Sequence, residues 1–159
     1  MGSNKNGSKK ILILYFSFHH QNTEKIAQAM AEVLEADLVK ANEAKPEDIL
    51  NYELIGFGSG IYFWKHHKIL FELMEKINLT QNKKAFIFST SGAPMGTRFH
   101  KNLRERLIKK GFEIIGEFNC LGWDTFGPLK LFGGINKGRP TELDIEKAKE
   151  FAKNLINKL

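Results

Sequence analysis

Ile11-Leu-Ile-Leu-Tyr-Phe-Ser-Phe-His-His-Gln-Asn-Thr-Glu-Lys-Ile-Ala27 runs from an unbroken apolar stretch through a polar loop into helical spacing. Residues 11 to 16 have the composition of a strand covered on both faces, which is the pattern of a parallel sheet. Helical periodicity begins at about Asn22. Between them Ser17, His19, His20, Gln21, Asn22 and Thr23 offer hydroxyl, amide and ring N–H groups. The first turn of the helix adds unpaired backbone N–H groups and the positive end of the helix dipole. This strand, loop and helix form a cradle for an anion, and a single phosphate monoester suits it best. The plainer alternative is that Ser, Asn and Thr cap the helix and bind nothing. The loop contains neither G-x-G-x-x-G nor G-x-x-x-x-G-K-[ST], which excludes the dinucleotide fingerprint and the Walker loop.

Working outward, the 159 residues suit one domain over residues 10–159, with residues 1–9 polar, Gly/Ser-rich and tag-like. The formal charge is +6, but Lys5, Lys9 and Lys10 account for half of it, so residues 11–159 carry only +3. Arg98, Lys101, Arg104 and Lys109-Lys110 recur at the spacing of a solvated helix face, and no nucleic-acid partner is expected. Cys120 is the only cysteine, which rules out a disulfide framework or thiolate metal site and reads as a small core residue. The five histidines include no H-E-x-x-H spacing, and no metal is expected. No apolar run is long enough to span a bilayer, and a cytoplasmic protein is the expectation.

The rest of the chain alternates in the same way. Ala36-Asp-Leu-Val-Lys-Ala41 reads as a short second strand and Glu53-Leu-Ile-Gly-Phe-Gly-Ser59 as a third, leading through Gly60-Ile-Tyr-Phe-Trp64 into a helix. Lys84-Ala-Phe-Ile-Phe-Ser-Thr90 is the fourth strand, followed by the loop Ser91-Gly-Ala-Pro-Met-Gly96 and a helix lined by Phe99, Leu103 and Leu107. Phe112 to Phe118 is the fifth, and a last helix from Leu143 buries Ile145, Ala148, Ala152 and Ile156. Five βα units imply an α/β fold, a parallel sheet with helices on both faces. Ligands of such sheets lie beyond the carboxyl ends of the strands, where the loops after strands one, three and four converge.

Those three loops carry a family resemblance. Ser17-Phe-His-His-Gln-Asn-Thr23, Ser59-Gly-Ile-Tyr-Phe-Trp64 and Ser89-Thr-Ser-Gly92 together resemble the flavodoxin-like FMN-binding proteins, over nearly the whole chain after residue 9. The family phosphate motif, Ser/Thr-x-Thr-Gly-Asn-Thr, keeps Ser17 at its head and Asn22-Thr23 at its end. Between these the loop is one residue longer, with His20-Gln21 where Thr-Gly is expected. The resemblance implies a single-domain, three-layer sandwich with strand order 2-1-3-4-5 and FMN as cofactor, an arrangement for which flavodoxin is a standard example. It places Ser17, His19, His20, Gln21, Asn22 and Thr23 around the phosphate. Ser59, Gly60, Ile61, Tyr62, Phe63 and Trp64 would border the isoalloxazine, with Trp64 or Tyr62 as the stacking ring and Gly60 allowing close approach. Thr90, Ser91 and Gly92 would close over the pyrimidine edge, and Trp123 would reach the ring from the long segment 119–140. Core packing is the competing reading of the aromatic cluster.

Two functions follow from the resemblance. One is an electron-transfer protein cycling FMN between redox partner proteins, although its mild basicity departs from the strongly acidic carriers. The other is an FMN-dependent oxidoreductase passing electrons to a small-molecule acceptor, since Gly58-Ser-Gly-Ile-Tyr-Phe-Trp-Lys-His-His-Lys68 is similar to the corresponding loop of menaquinone-dependent protoporphyrinogen oxidases. That family acts on a quinone and a porphyrinogen.

Overall fold

The computed structural model describes residues 10–18 and 20–159. The tag-like segment 1–9 and His19 lie outside the described residues. Among the described residues there are six strands: β1 (Ile11–Phe16), β2 (Asp37–Lys40), β3 (Leu54–Tyr62), β4 (Lys65–His66), β5 (Lys83–Ser91) and β6 (Phe112–Leu121). Five α-helices connect or follow them: α1 (Asn22–Leu34), α2 (Pro46–Ile49), α3 (Lys68–Lys76), α4 (Lys101–Lys109) and α5 (Glu142–Ile156). The main sheet is wholly parallel in the order β2-β1-β3-β5-β6, which is the expected 2-1-3-4-5 once the short β4 is set aside.

Side-chain alternation divides the core into two layers. Leu12 and Leu14 of β1, with Ile55 and Phe57 of β3, face Leu70, Leu73 and Met74 of α3 and Leu103 and Leu107 of α4. Ile11, Ile13 and Tyr15 point the opposite way, against Ile26, Ala27 and Met30 of α1 and Ala148, Ala152 and Leu155 of α5. Both faces of the sheet are therefore covered, which is why β1 is apolar at successive positions rather than alternate ones. Phe99 is buried with Leu103 and Leu107, as the helical spacing predicts. In α5 Ala148 and Ala152 are buried as expected, but Ile145 is only half-buried, and Leu155 is buried in place of Ile156, which is exposed. One residue is about 100° of helix rotation, so the neighbouring stripe was equally apolar on paper.

Glycines in β3 make room for the rings of β5. Gly56 pairs with Phe86 and Gly58 with Phe88 across the ladder. A Cβ on Gly58 would lie 2.1 Å from Phe88 Cζ, and one on Gly56 2.3 Å from Phe86 Cζ. Each ring thus occupies the volume that its glycine leaves open, and all four residues are buried.

The structure extends three of the predicted segments. β3 does not end at Ser59 but continues to Tyr62, turns at Phe63-Trp64 and returns as β4, with Ile61 opposite His66 and Tyr62 opposite Lys65. What reads as a loop is a hairpin. β5 runs to Ser91, and β6 runs to Leu121, carrying Cys120 into the core with its thiol pushed up to about 12 by burial. Segment 122–140 folds back on itself through paired backbone bonds between Asp124 and Ile135, both 2.9 Å, and is anchored where Arg139 meets the Asp144 carboxylate at 2.7 Å.

Candidate functional site

The loops after β1, β3, β5 and β6 enclose a cavity of about 360 Å3 at the carboxyl end of the sheet. Its floor is set by α1. Gln21 stands at the helix N-cap with φ 53° and ψ 30°, in the left-handed region, and its side chain makes no capping hydrogen bond. His20 has φ 53° as well. The N-cap is thus none of the Ser, Asn or Thr of the capping alternative, and the positive end of α1 opens beside the cavity lined by Ser17, Asn22 and Thr23.

Each of these side chains is held by a different part of the fold. Thr23 Oγ1 and Thr90 Oγ1 lie 2.8 Å apart in a buried hydrogen bond, which ties the first turn of α1 to the end of β5. Asn22 Nδ2 donates to the Trp123 carbonyl at 2.8 Å, tying the same turn to the 122–140 segment. A Cβ on Gly122 would be 2.7 Å from Asn22 Nδ2, so glycine there permits the close approach. Asn22 Oδ1 is buried and has no hydrogen-bond partner, a cost that a ligand hydroxyl aimed at it would remove.

Aromatic side chains make the walls. Tyr62, Phe63 and Trp64 from the β3–β4 hairpin and Trp123 and Phe126 from the 122–140 segment all line it. Phe63 and Phe126 meet edge to face at 5.6 Å, and Trp64 packs beside Phe99 at 5.9 Å. Trp123 is fixed from behind: His20 stacks on it at 3.7 Å, and its Nε1 donates to the Gly133 carbonyl at 2.9 Å. Tyr62 has its phenol pushed up to about 12, by burial and by the charge of Asp124. Asp124 Oδ1 accepts from the Phe126 N–H at 2.8 Å, and its Oδ2 lies where a Gly92 Cβ would come within 2.4 Å. Asn136 Nδ2 donates to the Gly92 carbonyl at 2.8 Å, so the loop after β5 and the 122–140 segment hold each other.

The cavity brings together Ser17, Asn22, Thr23, Gly60, Ile61, Tyr62, Phe63, Trp64, Thr90, Ser91, Gly92 and Trp123. Gln21 is exposed and does not line it. His20 turns away, bonding through Nε2 to Thr125 Oγ1 at 2.9 Å and supporting Trp123 rather than offering a donor to a ligand. His19 lies outside the described residues. Gly60 sits inside β3 opposite Thr90, and the space beside its Cα is taken by the Tyr62 hydroxyl, 3.1 Å from the ideal Cβ position. Lining residues that sequence reasoning missed are Phe18, Ala93, Phe99, Gly122, Asp124 and Phe126. Only Phe99 carried a signal, and it pointed to the core. Asp124 and Phe126 come into place through the fold-back of a segment without regular periodicity.

Ser59 is the clearest correction. It is fully buried below the cavity, where its hydroxyl donates to the Gly60 carbonyl at 2.7 Å and accepts from the His67 N–H at 2.9 Å. With its one proton committed, Ser59 Oγ also accepts from His66 Nδ1 at 3.0 Å. The arrangement leaves His66 Nε2 buried without a partner. A second chain runs alongside: Glu117 accepts from His100 Nδ1 at 3.3 Å, and Ser89 Oγ lies 2.7 Å from His100 Nε2. The rings of His66 and His100 are 5.0 Å apart, so this polar layer braces the β3–β4 hairpin against the end of β5.

Burial, and then the neighbouring His100, holds the His66 imidazole well below the usual histidine range. His67, the side-chain N-cap of α3, is lowered chiefly by burial too. The unfolded chain therefore takes up protons near pH 6.5 that the folded chain refuses, and stability must fall as the pH drops below that value. Urea midpoints between pH 7.5 and 5 should decline, and His66→Gln should flatten the decline. A wild-type midpoint that stays level or rises on acidification would contradict this buried, neutral His66.

With the geometry in place, comparison with known proteins gives the assignment. The sequence model of the flavodoxin domain matches residues 12–119. The chain belongs to the flavodoxin-like FMN-binding family. An uncharacterised protein of Methanocaldococcus jannaschii is 59% identical over 148 residues, covering 92% of this chain and 98% of that one. Among solved structures, oxidised flavodoxin 2 from Bacillus cereus superposes with a TM-score of 0.69 at 23% identity, covering 94% of this chain and 99% of that one. Fusobacterium nucleatum flavodoxin bound to flavin mononucleotide gives 0.69 at 14%, covering 95% and 99%. At these identities the structures establish the shared flavodoxin fold. The flavodoxin cofactor suits the residues present: a helix N-terminus whose N-cap side chain makes no capping bond, for a phosphate, an orphaned acceptor at Asn22 Oδ1 for a ribityl hydroxyl, and aromatic lining for a flat ring.

Proposed function

We propose that this flavodoxin-family protein carries electrons between redox partners through one non-covalently held FMN. The observation that carries the reading is the aromatic-lined cavity opening beside the start of α1, whose N-cap side chain makes no capping bond. The backbone N–H groups of the first turn, at Asn22 and Thr23, hold the phosphate without a lysine or arginine in the 17–23 loop. Tyr62, Trp64 and Trp123 flank the ring, and Thr90, Ser91 and Gly92 border its polar edge. When bound, the flavin supplies the one- and two-electron chemistry. The protein binds it, orients it and keeps one side of it open.

The Tyr62 phenol offers no general acid or base for neutral pH, which supports a carrier. Tyr62 and Asp124 are the titratable side chains among the described lining residues, and Tyr62 keeps its proton throughout the neutral range. General acid–base work calls for a group whose pKa lies near the working pH. Steady-state assays of the FMN-loaded protein with pyridine nucleotides, quinones and porphyrinogens test the reading. Stoichiometric electron exchange with redox proteins and no turnover of these compounds is expected. Sustained quinone or porphyrinogen turnover by the isolated protein would replace the carrier with an FMN-dependent oxidoreductase.

A further inference from the structure

The rim of the cavity is both apolar and strongly basic. Phe63 is 80% exposed, Trp64 66%, Phe126 47%, Leu131 84% and Phe132 85%. They are connected in space and sequence: Phe63 meets Phe126, which leads into the 3-10 turn Gly127–Phe132. Phe63 and Trp64 occupy the two-residue turn of the β3–β4 hairpin with φ of 49° and 68°. Those positions ordinarily take Asn and Gly, because a bulky side chain at positive φ is strained. Two large aromatics kept at the exposed tip of such a turn point to a contact made by their side chains.

Charge is concentrated on the same face. Segments 60–68, 92–101 and 121–140 hold seven Lys or Arg and one acid, Asp124, for a net +6. The rest of residues 11–159 has fourteen Lys or Arg against seventeen acids, a net of −3. The basic side is therefore the side that carries the exposed aromatics, and two copies of it would repel. Five of its seven cations are lysines, and Arg139 is already committed to Asp144. Lysine is depleted from protein–protein interfaces, whereas its long apolar stem and ammonium suit a phosphate-rich boundary. No helix of the described residues is long and apolar enough to cross a membrane, so the contact is with the surface.

We propose that this rim docks the protein on an anionic lipid surface, with Phe63, Leu131 and Phe132 entering the headgroup boundary and Lys65 and Lys130 pairing with lipid phosphates. Aromatic and aliphatic tips flanked by lysine have the composition of interfacial anchors. Docking in this way turns the mouth of the cavity toward the membrane. The proposal depends on the rim and not on the identity of the bound cofactor.

Flotation with vesicles of equal parts phosphatidylcholine and phosphatidylglycerol, beside vesicles of phosphatidylcholine alone, tests it. A preference of about ten-fold or more for the anionic vesicles is expected, lost in high salt. Leu131→Ser with Phe132→Ser, outside the cavity lining, should abolish the binding, as should Lys65→Glu with Lys130→Glu. Phe63→Asn with Trp64→Gly installs the favoured turn residues and should lose the binding too, but because both side chains line the cavity it is the Leu131/Phe132 pair that separates docking from cofactor binding. FMN content measured on the same preparations separates this result from the cofactor assignment. Equal partition onto both vesicles, or none, would overturn the proposal. Retention on an immobilised small acidic ferredoxin without vesicle binding would overturn it too, and assign the rim to a protein partner.

Discussion

Gly58→Ala is expected to destabilise the protein by about 3 kcal/mol or more, at the upper end of what overpacking a core costs. The added methyl would overlap the Phe88 ring at 2.1 Å, and its next contacts, the two Cε atoms, are at 2.2 and 2.4 Å. Phe88 has nowhere to withdraw, being fully buried among Ile13, Ile26 and Phe86 on the α1 and α5 side of the sheet. For a domain of this size the melting temperature of the cofactor-free protein should fall by roughly 6–12 °C. Trimming the opposing ring supplies the control. Gly58→Ala with Phe88→Leu should recover part of the loss, so that the two changes are far from additive. A Gly58→Ala protein that melts with the wild type would show that the β3–β5 packing described here is wrong.

Asn22→Asp carries the largest expected effect on binding. The change is nearly isosteric and an acidic residue in the first turn suits the dipole of α1, but it trades the Asn22–Trp123 hydrogen bond for a carboxylate facing that carbonyl, so some stability is lost as well. It places a carboxylate where Asn22 now donates to the Trp123 carbonyl, in the wall of the cavity beside the helix N-terminus. Two unit charges about 6 Å apart repel by roughly 3 kcal/mol at an effective dielectric near 20, and a phosphate carries more than one charge. FMN affinity should therefore drop about 100-fold further than riboflavin affinity, since riboflavin lacks the phosphate. Asn22→Ala removes the tether to Trp123 without adding charge and should weaken both ligands alike. Equal losses of FMN and riboflavin in Asn22→Asp would place the phosphate elsewhere.

The readable parts of the sequence were those where local pattern and tertiary environment agree. Residues 11–16 have no choice but a covered strand, and the change of period at Asn22 marks a real helix start. Convergence of three loops at one end then follows from the βα alternation alone. The hairpin at Phe63-Trp64 was illegible because its turn residues contradict turn chemistry, and that contradiction is itself the sign of a functional tip. The resemblance places Ser59 with 60–64 at the border of the isoalloxazine, but alternation along β3 turns it inward to His66. His20 offered a ring N–H and is instead consumed by Trp123 and Thr125, residues more than a hundred positions away. The placing of Asp124 and Phe126 depends on a fold-back made by a pair of backbone bonds, for which no periodicity exists to be read. The basicity of the chain reads as unremarkable when summed, and gains meaning only when the fold sorts the charges by face.

The most direct test of the central claim is the ligand itself. The protein is purified without added cofactor, denatured, and the released material is measured by absorption and mass; the remaining apoprotein is then titrated with FMN. One FMN per chain, either retained or taken up on titration, is the predicted result. A colourless protein that also refuses added FMN would leave the flavodoxin fold in place and contradict the assignment of its cavity.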